Sequence, residues 1–209
     1  MTVGILGSGD VGMALAKGLL AEGQSVYIAT RQPDGDKGDS LKAALPKAVV
    51  TDFASTAKAA ELIILCVNES GLHEAIELAG QESLQGKVII DTTNAIKPVD
   101  GVLVYAGGEV SMAEQVQAWL PDAKVVKAFN TAGAAIMYKP DFGEQTPTMF
   151  IAGDDDEAKK MVSDIVVMFG WEALDCGKLV LSRSLEPMAL VWINNSMASG
   201  SPHHAFKML

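Results

Sequence analysis

Long hydrophobic runs are missing from this sequence. The apolar stretch Leu62–Val67 (LIILCV) stops at six residues, the length of a strand and far short of the ~18 needed to span a bilayer. Basic residues are scarce: 16 Lys and Arg stand against 26 Asp and Glu, a net charge of -10. That balance argues against nucleic acid or an anionic membrane as the main partner, since both need a basic surface. Cys66 and Cys176 are the only cysteines and lie outside any C-x-x-C spacing, so free thiols are expected. His73, His203 and His204 have no zinc spacing, and no metal is expected. No G-x-S-x-G elbow appears, which removes the usual hydrolase nucleophile. Met1-Thr2 runs into an apolar segment without the basic region of a secretory leader, and a cytoplasmic protein is expected.

What is present is a core and an alternation. Apolar residues make up 49% of 209, enough for one large domain or a large and a small one. Strands are predicted at Thr2–Leu6, Ser25–Ala29, Ala48–Val50, Leu62–Val67, Lys87–Asp91 and Lys124–Phe129. Helices are predicted between them at Asp10–Glu22, Ser40–Leu45, Ala54–Ala60, Leu72–Ala79 and Met112–Trp119. Strands apolar on both faces, alternating with helices, predict an α/β fold with a doubly wound parallel sheet of Rossmann type. A small C-terminal α/β extension follows, with strands at Met149–Ala152 and Trp171–Asp175 and helices at Glu157–Phe169 and Leu179–Ala198. The loop Lys139–Pro147, with Pro140, Gly143 and Pro147, suggests a division into residues 1–139 and 140–209.

The first turn carries the chemistry. Residues 7–12 read GSGDVG, between a predicted strand and a predicted helix, which is the context a dinucleotide fingerprint requires. Gly7 permits the tight turn, Gly9 lets backbone approach a pyrophosphate, and Gly12 lets the helix lie close to the sheet. Gly7, Ser8, Gly9, Asp10, Val11 and Gly12 are therefore candidate cofactor contacts, with the helix N-terminus supplying free N–H groups.

The second strand selects the nucleotide. NAD sites place an acid about 20 residues past the glycines, but this strand ends in Thr30-Arg31. Arg31 suits a 2′-phosphate, with the Thr30 hydroxyl beside it and Lys37 as an outer contact; NADP(H) is the expected cofactor. The neighbouring DGDKGD does not fit a calcium loop, because Leu45 stands where the closing Glu would be. Polar tips follow later strands: Cys66, Val67 and Asn68; Thr93 and Asn94; and Asn130. Carboxyl ends of such strands face the ligand crevice, so these join the candidate contacts. GDDDEAKK at 153–160 reads as a helix start, with Asp154 as N-cap and Glu157 completing a capping box.

GSGDVG, the Thr30-Arg31 pair, VVKAFNT, IAGDDDEAKK, LDCGKL and the terminal HAFKML occur in this order. Over nearly its whole length the chain resembles the NADP oxidoreductases that use coenzyme F420. It is also similar to the cytoplasmic reductase domain of the six-transmembrane ferric reductases. The resemblance implies NADP lying across the glycine turn, Thr30 and Arg31. It also implies a homodimer and a deazaflavin (F420) or flavin ring stacked near the nicotinamide against the C-terminal segment. The partner expected is a small-molecule redox acceptor, and ring-to-ring hydride transfer assigns no dedicated catalytic residue. The segment Asn195–Phe206, where the last helix breaks at Gly200 and Pro202 and the rings of His203, His204 and Phe206 gather, is the expected pocket wall. Two other readings are a hydroxyacid-dehydrogenase-like enzyme, whose helical lysine would fall at Val191, and a non-catalytic NADPH-sensing protein.

Overall fold

A strand with apolar side chains on both faces needs cover on both. The computed structural model, which describes residues 1–209, supplies it with helices above and below one sheet. Alternate residues divide between the layers. On β1 (Thr2–Leu6), Val3 and Ile5 face the layer of α1 (Asp10–Ala21) and α2 (Asp36–Ala44), while Leu6 faces the opposite one. On β4 (Leu62–Leu65), Leu62 and Ile64 share the first layer. Ile63 and Leu65 pack toward α3 (Phe53–Ala59) and α4 (Glu69–Ala79). This is the two-residue period of a strand buried on both sides.

Strands β2 (Ser25–Ala29) and β3 (Val49–Thr51) extend the sheet beyond β1, and β5 (Val88–Asp91) and β8 (Lys124–Lys127) extend it beyond β4. A short α5 (Gln81–Leu84) precedes β5, and α6 (Met112–Trp119) precedes β8. The C-terminal extension adds β9 (Thr148–Gly153), α7 (Asp156–Met168) and β10 (Glu172–Asp175). The eight strands lie in the order β10-β9-β8-β5-β4-β1-β2-β3. Every neighbouring pair is parallel except β8 and β9, which run antiparallel. From β1 the chain steps outward to β2 and β3, then crosses back to β4 on the other side. The gap between β1 and β4 is therefore the topological switch point, where open α/β sheets bind ligands.

A hairpin of β6 (Ile96–Val99) and β7 (Val102–Tyr105) stands apart from the sheet. No element is predicted there, although Asp100-Gly101 carries the hairpin signal: both adopt positive φ, +49° and +83°, as a two-residue mirror-image turn requires. The last helix, α8 (Ser182–Ser199), is preceded by a separate 3₁₀ turn at Leu179–Leu181 and ends at Gly200 with φ +65°. Helices α2 and α4 begin earlier than the apolar period predicts, at Asp36 and Glu69, because their first turns are polar. No helix is long and apolar enough to cross a membrane. After α8 the chain returns to the start of β9, where the Thr148 N–H donates to the Phe206 carbonyl and the Met208 N–H donates to Thr148 Oγ1.

Candidate functional site

The three glycines of the first turn have different neighbours. Gly7 adopts φ +123°, and a Cβ there would lie 2.3 Å from the Cys66 carbonyl oxygen. A Cβ on Gly12 would lie 2.2 Å from the Gly7 carbonyl oxygen. Packing of the protein on itself explains both. Gly9 has nothing within 4 Å of an added Cβ and is exposed. It is also the N-cap of α1, with no side chain capping the helix, so the first N–H groups remain available. Space above an uncapped helix start suits a pyrophosphate. By contrast α3, α6 and α7 are capped by the side chains of Asp52, Ser111 and Asp155.

A cavity of about 580 Å³ opens at the switch point. Of the predicted contacts it gathers Gly7, Ser8 and Gly9 after β1, Thr30, Arg31 and Lys37 after β2, and Cys66, Val67 and Asn68 after β4. Asn68 begins α4, again without a side-chain cap. Burial pushes the Cys66 thiol up to about 12, so it lines the floor as a neutral group and not as a nucleophile. Arg31 Nη2 lies 2.5 Å from Glu74 Oε2 on α4. The cavity also takes Gln32, Phe53, Gly71 and Ala75. None of these was predicted: Phe53 enters from the start of α3 and Gly71 from α4, at positions that no local motif marks. Asp10, Val11 and Gly12 do not line the cavity. Asp10 is exposed in the first turn of α1, Val11 packs against the core and Gly12 is buried beneath the turn.

Thr93, Asn94 and Asn130 also lie outside that cavity and join a network at the ends of β5 and β8. Lys127 is fully buried and donates to Asp91 Oδ2 at 2.7 Å, to the Thr93 carbonyl and to Glu186 Oε1 at 2.7 Å. Asp91 Oδ1 accepts from both the Thr93 N–H and hydroxyl. Glu186 on α8 accepts from the N–H groups of Met112 and Ala113, at the start of α6. Burial raises its carboxyl above the usual range, and Lys127 opposes that rise. Asn130 Nδ2 donates to Asn94 Oδ1 and the Leu185 carbonyl, and Asn94 Nδ2 donates back to the Asn130 carbonyl. Asn130 Oδ1 is buried without a protein partner. The preceding residue, Phe129, holds φ +60°, a costly conformation for a bulky side chain.

The C-terminal rings pack on the protein. His204 stacks on Trp192 with centroids 4.8 Å apart, and Trp192 Nε1 donates to the His204 carbonyl. His203 stacks on Phe142 at 4.7 Å, and Phe206 meets Phe150 edge to face. Trp192 covers Gly133, just past β8, so closely that a Cβ there would lie 2.0 Å from the indole. Asn194 bonds the N–H and carbonyl of Leu103, holding the hairpin to α8, and Val191 is exposed. The acidic turn departs from its predicted register: Asp155, not Asp154, caps α7, accepting from the Ala158 N–H. Asp154 is occupied elsewhere, accepting from the Leu179 N–H, and Lys124 holds Asp155 at 3.0 Å.

Known proteins resemble this chain in sequence and in fold. A family model described as "NADP oxidoreductase coenzyme F420-dependent" matches residues 2–95. The metalloreductase STEAP3 of Rattus norvegicus is 34% identical over 189 residues, 90% of this chain; the chain spans only 36% of that protein's length. The F420-dependent NADP reductase of Methanothermobacter marburgensis is 29% identical over 214 residues, covering 93% of this chain and 92% of that one. An Arthrobacter sp. FB24 protein described as a candidate F420-dependent NADP-reductase superposes with a TM-score of 0.90 at 29% identity, covering 99% of this chain and 98% of its own. The imine reductase of Myxococcus stipitatus, at 16% identity and a TM-score of 0.67, shares the fold.

Proposed function

We propose that the chain belongs to the F420-dependent NADP oxidoreductase family, to which it is similar as it is to the STEAP reductase domains, and that it transfers hydride between NADP(H) and a deazaflavin (F420) or flavin-type acceptor. The observation that carries the reading is Gly9: nothing in the protein occupies the space above it, beside an uncapped helix and below Thr30, Arg31 and Lys37. The start of α1 receives the pyrophosphate, and Arg31 and Lys37 receive the 2′-phosphate. The nicotinamide, when bound, supplies or accepts the hydride. The chain's own contribution is placement and exclusion of water, which hydride transfer between two flat rings depends on. We assign the acceptor's wall to the Trp192–His204 stack and the segment Asn195–Phe206, because Trp192 covers Gly133 in the connection that follows β8 and His204 stacks on Trp192. Flat stacked rings suit a flat heterocycle.

Calorimetry with NADPH and NADH tests the nucleotide, and stopped-flow oxidation of NADPH with F420, FMN and FAD tests the acceptor. NADPH is expected to bind more tightly. Arg31→Ala is expected to lose about 10- to 100-fold in NADPH affinity, the worth of a charged hydrogen bond, while NADH affinity stays nearly constant. Equal affinity for the two nucleotides would overturn the NADP reading. Tight NADPH binding with no oxidation by any of the three acceptors would overturn the assignment of the acceptor.

A further inference from the structure

We propose that Glu74 is a specificity-determining residue, one that competes with the nucleotide's 2′-phosphate for the Arg31 guanidinium and lowers the preference for NADPH over NADH. The proposal rests on the NADP reading of the cavity. Glu74 lies on α4 beside Ala75 and three residues past Gly71, both of which line the cavity. Its Oε2 lies 2.5 Å from Arg31 Nη2. Both side chains are more than half exposed, 63% and 55%, so the pair is held weakly and can be exchanged. Lys37, the other cation of the cavity, forms no ion pair. One of the two cations facing the 2′ position is thus already engaged by a carboxylate.

The two nucleotides meet this arrangement differently. A phosphate carries close to two negative charges and takes a guanidinium bidentately, so it displaces a singly bonded carboxylate. Displacement costs the Arg31–Glu74 pair and leaves Glu74 beside a like charge. A 2′-hydroxyl asks for no such exchange and leaves the pair intact. Glu74 therefore acts against NADPH alone.

The test is titration calorimetry of the unmodified protein, Glu74→Gln, Arg31→Ala and the double variant with NADPH and NADH. Glu74→Gln is expected to tighten NADPH about two- to fivefold, the range of an exposed ion pair, and to leave NADH unchanged. The gain is expected to vanish in the Arg31→Ala background, and to shrink near 1 M salt, where the screening length falls to about 3 Å. Thermal melts serve as the control for folding, which an exposed Glu-to-Gln change leaves intact. The proposal is overturned if Glu74→Gln leaves NADPH affinity unchanged, tightens NADH by the same factor, or keeps its gain without Arg31. If the unmodified protein shows no preference for NADPH, the nucleotide reading itself falls. If the preference is present and Glu74→Gln does not raise it, only the role of Glu74 falls.

Discussion

A Cβ on Gly9 meets open space, whereas one on Gly12 falls 2.2 Å from the Gly7 carbonyl oxygen. The two positions therefore separate ligand binding from folding. Gly9→Val is expected to melt at nearly the original temperature and to lose NADPH binding. Gly12→Ala is expected to destabilise the fold by about 1–3 kcal/mol, as overpacking does, with binding falling as the turn deforms. Melting curves and calorimetry on both variants check this, and NADPH binding by Gly9→Val at the original affinity would reduce the turn to a turn. At this scale the sequence was readable where neighbouring residues share one short stretch: Gly7, Ser8 and Gly9 of GSGDVG, Thr30-Arg31 and Asn68 all reach the cavity, whereas Asp10, Val11 and Gly12 of the same hexamer do not. Phe53 and Glu74 were not, because an apolar helix start and a surface glutamate gain meaning only when the fold brings them beside Arg31.

The helices are joined by charge as well as by apolar contact. Lys127, Asp91 and Glu186 are fully buried, and Glu186 ties α8 to β8 and to the start of α6. Removing one member strands the others, so Lys127→Met is expected to cost about 3–5 kcal/mol in chemical denaturation. Glu186→Gln keeps an acceptor for the α6 N–H groups and is expected to cost less than Glu186→Ala. A second tie is exposed to pH. Arg183 on α8 holds Glu114 on α6 through two bonds of 2.8 Å and brings its carboxyl down to about 2. A depressed carboxyl stabilises the fold above its ordinary value of 4.5, and that contribution is lost as pH falls toward 2. Glu114→Gln is expected to lower the melting temperature at pH 7, with the difference closing through this window. Apolar periodicity located α1, α6 and α7 well, since their buried stripes repeat. It missed the polar first turns of α2 and α4, because periodicity records packing and those turns carry Lys37 and Glu69 instead of core residues.

Over the whole molecule, the reversal between β8 and β9 decides which end of the sheet each segment reaches. Gly153, at the end of β9, pairs with Val126, and the antiparallel chain then runs on toward the start of β8, so the acidic turn lies at the edge away from the cavity, where Lys124 holds Asp155. Thr148, at the start of β9, lies beyond the end of β8, on the cavity's edge. The parallel order of β1, β2, β3, β4, β5 and β8 follows from alternating strands and crossover helices and was legible in the sequence. The reversal was not, because the long connection from 128 to 147 is compatible with either direction. The same geometry governs how the protein can be attached to a surface. Residue 1 precedes β1 at the edge remote from the cavity, while the final residues return to Thr148 on the cavity's side of the sheet. Tethering through the amino terminus on a sensor chip is expected to leave nucleotide capture at its solution rate. Tethering through residue 209 is expected to slow the association of large acceptors more than that of NADPH, and surface plasmon resonance in the two orientations measures the difference.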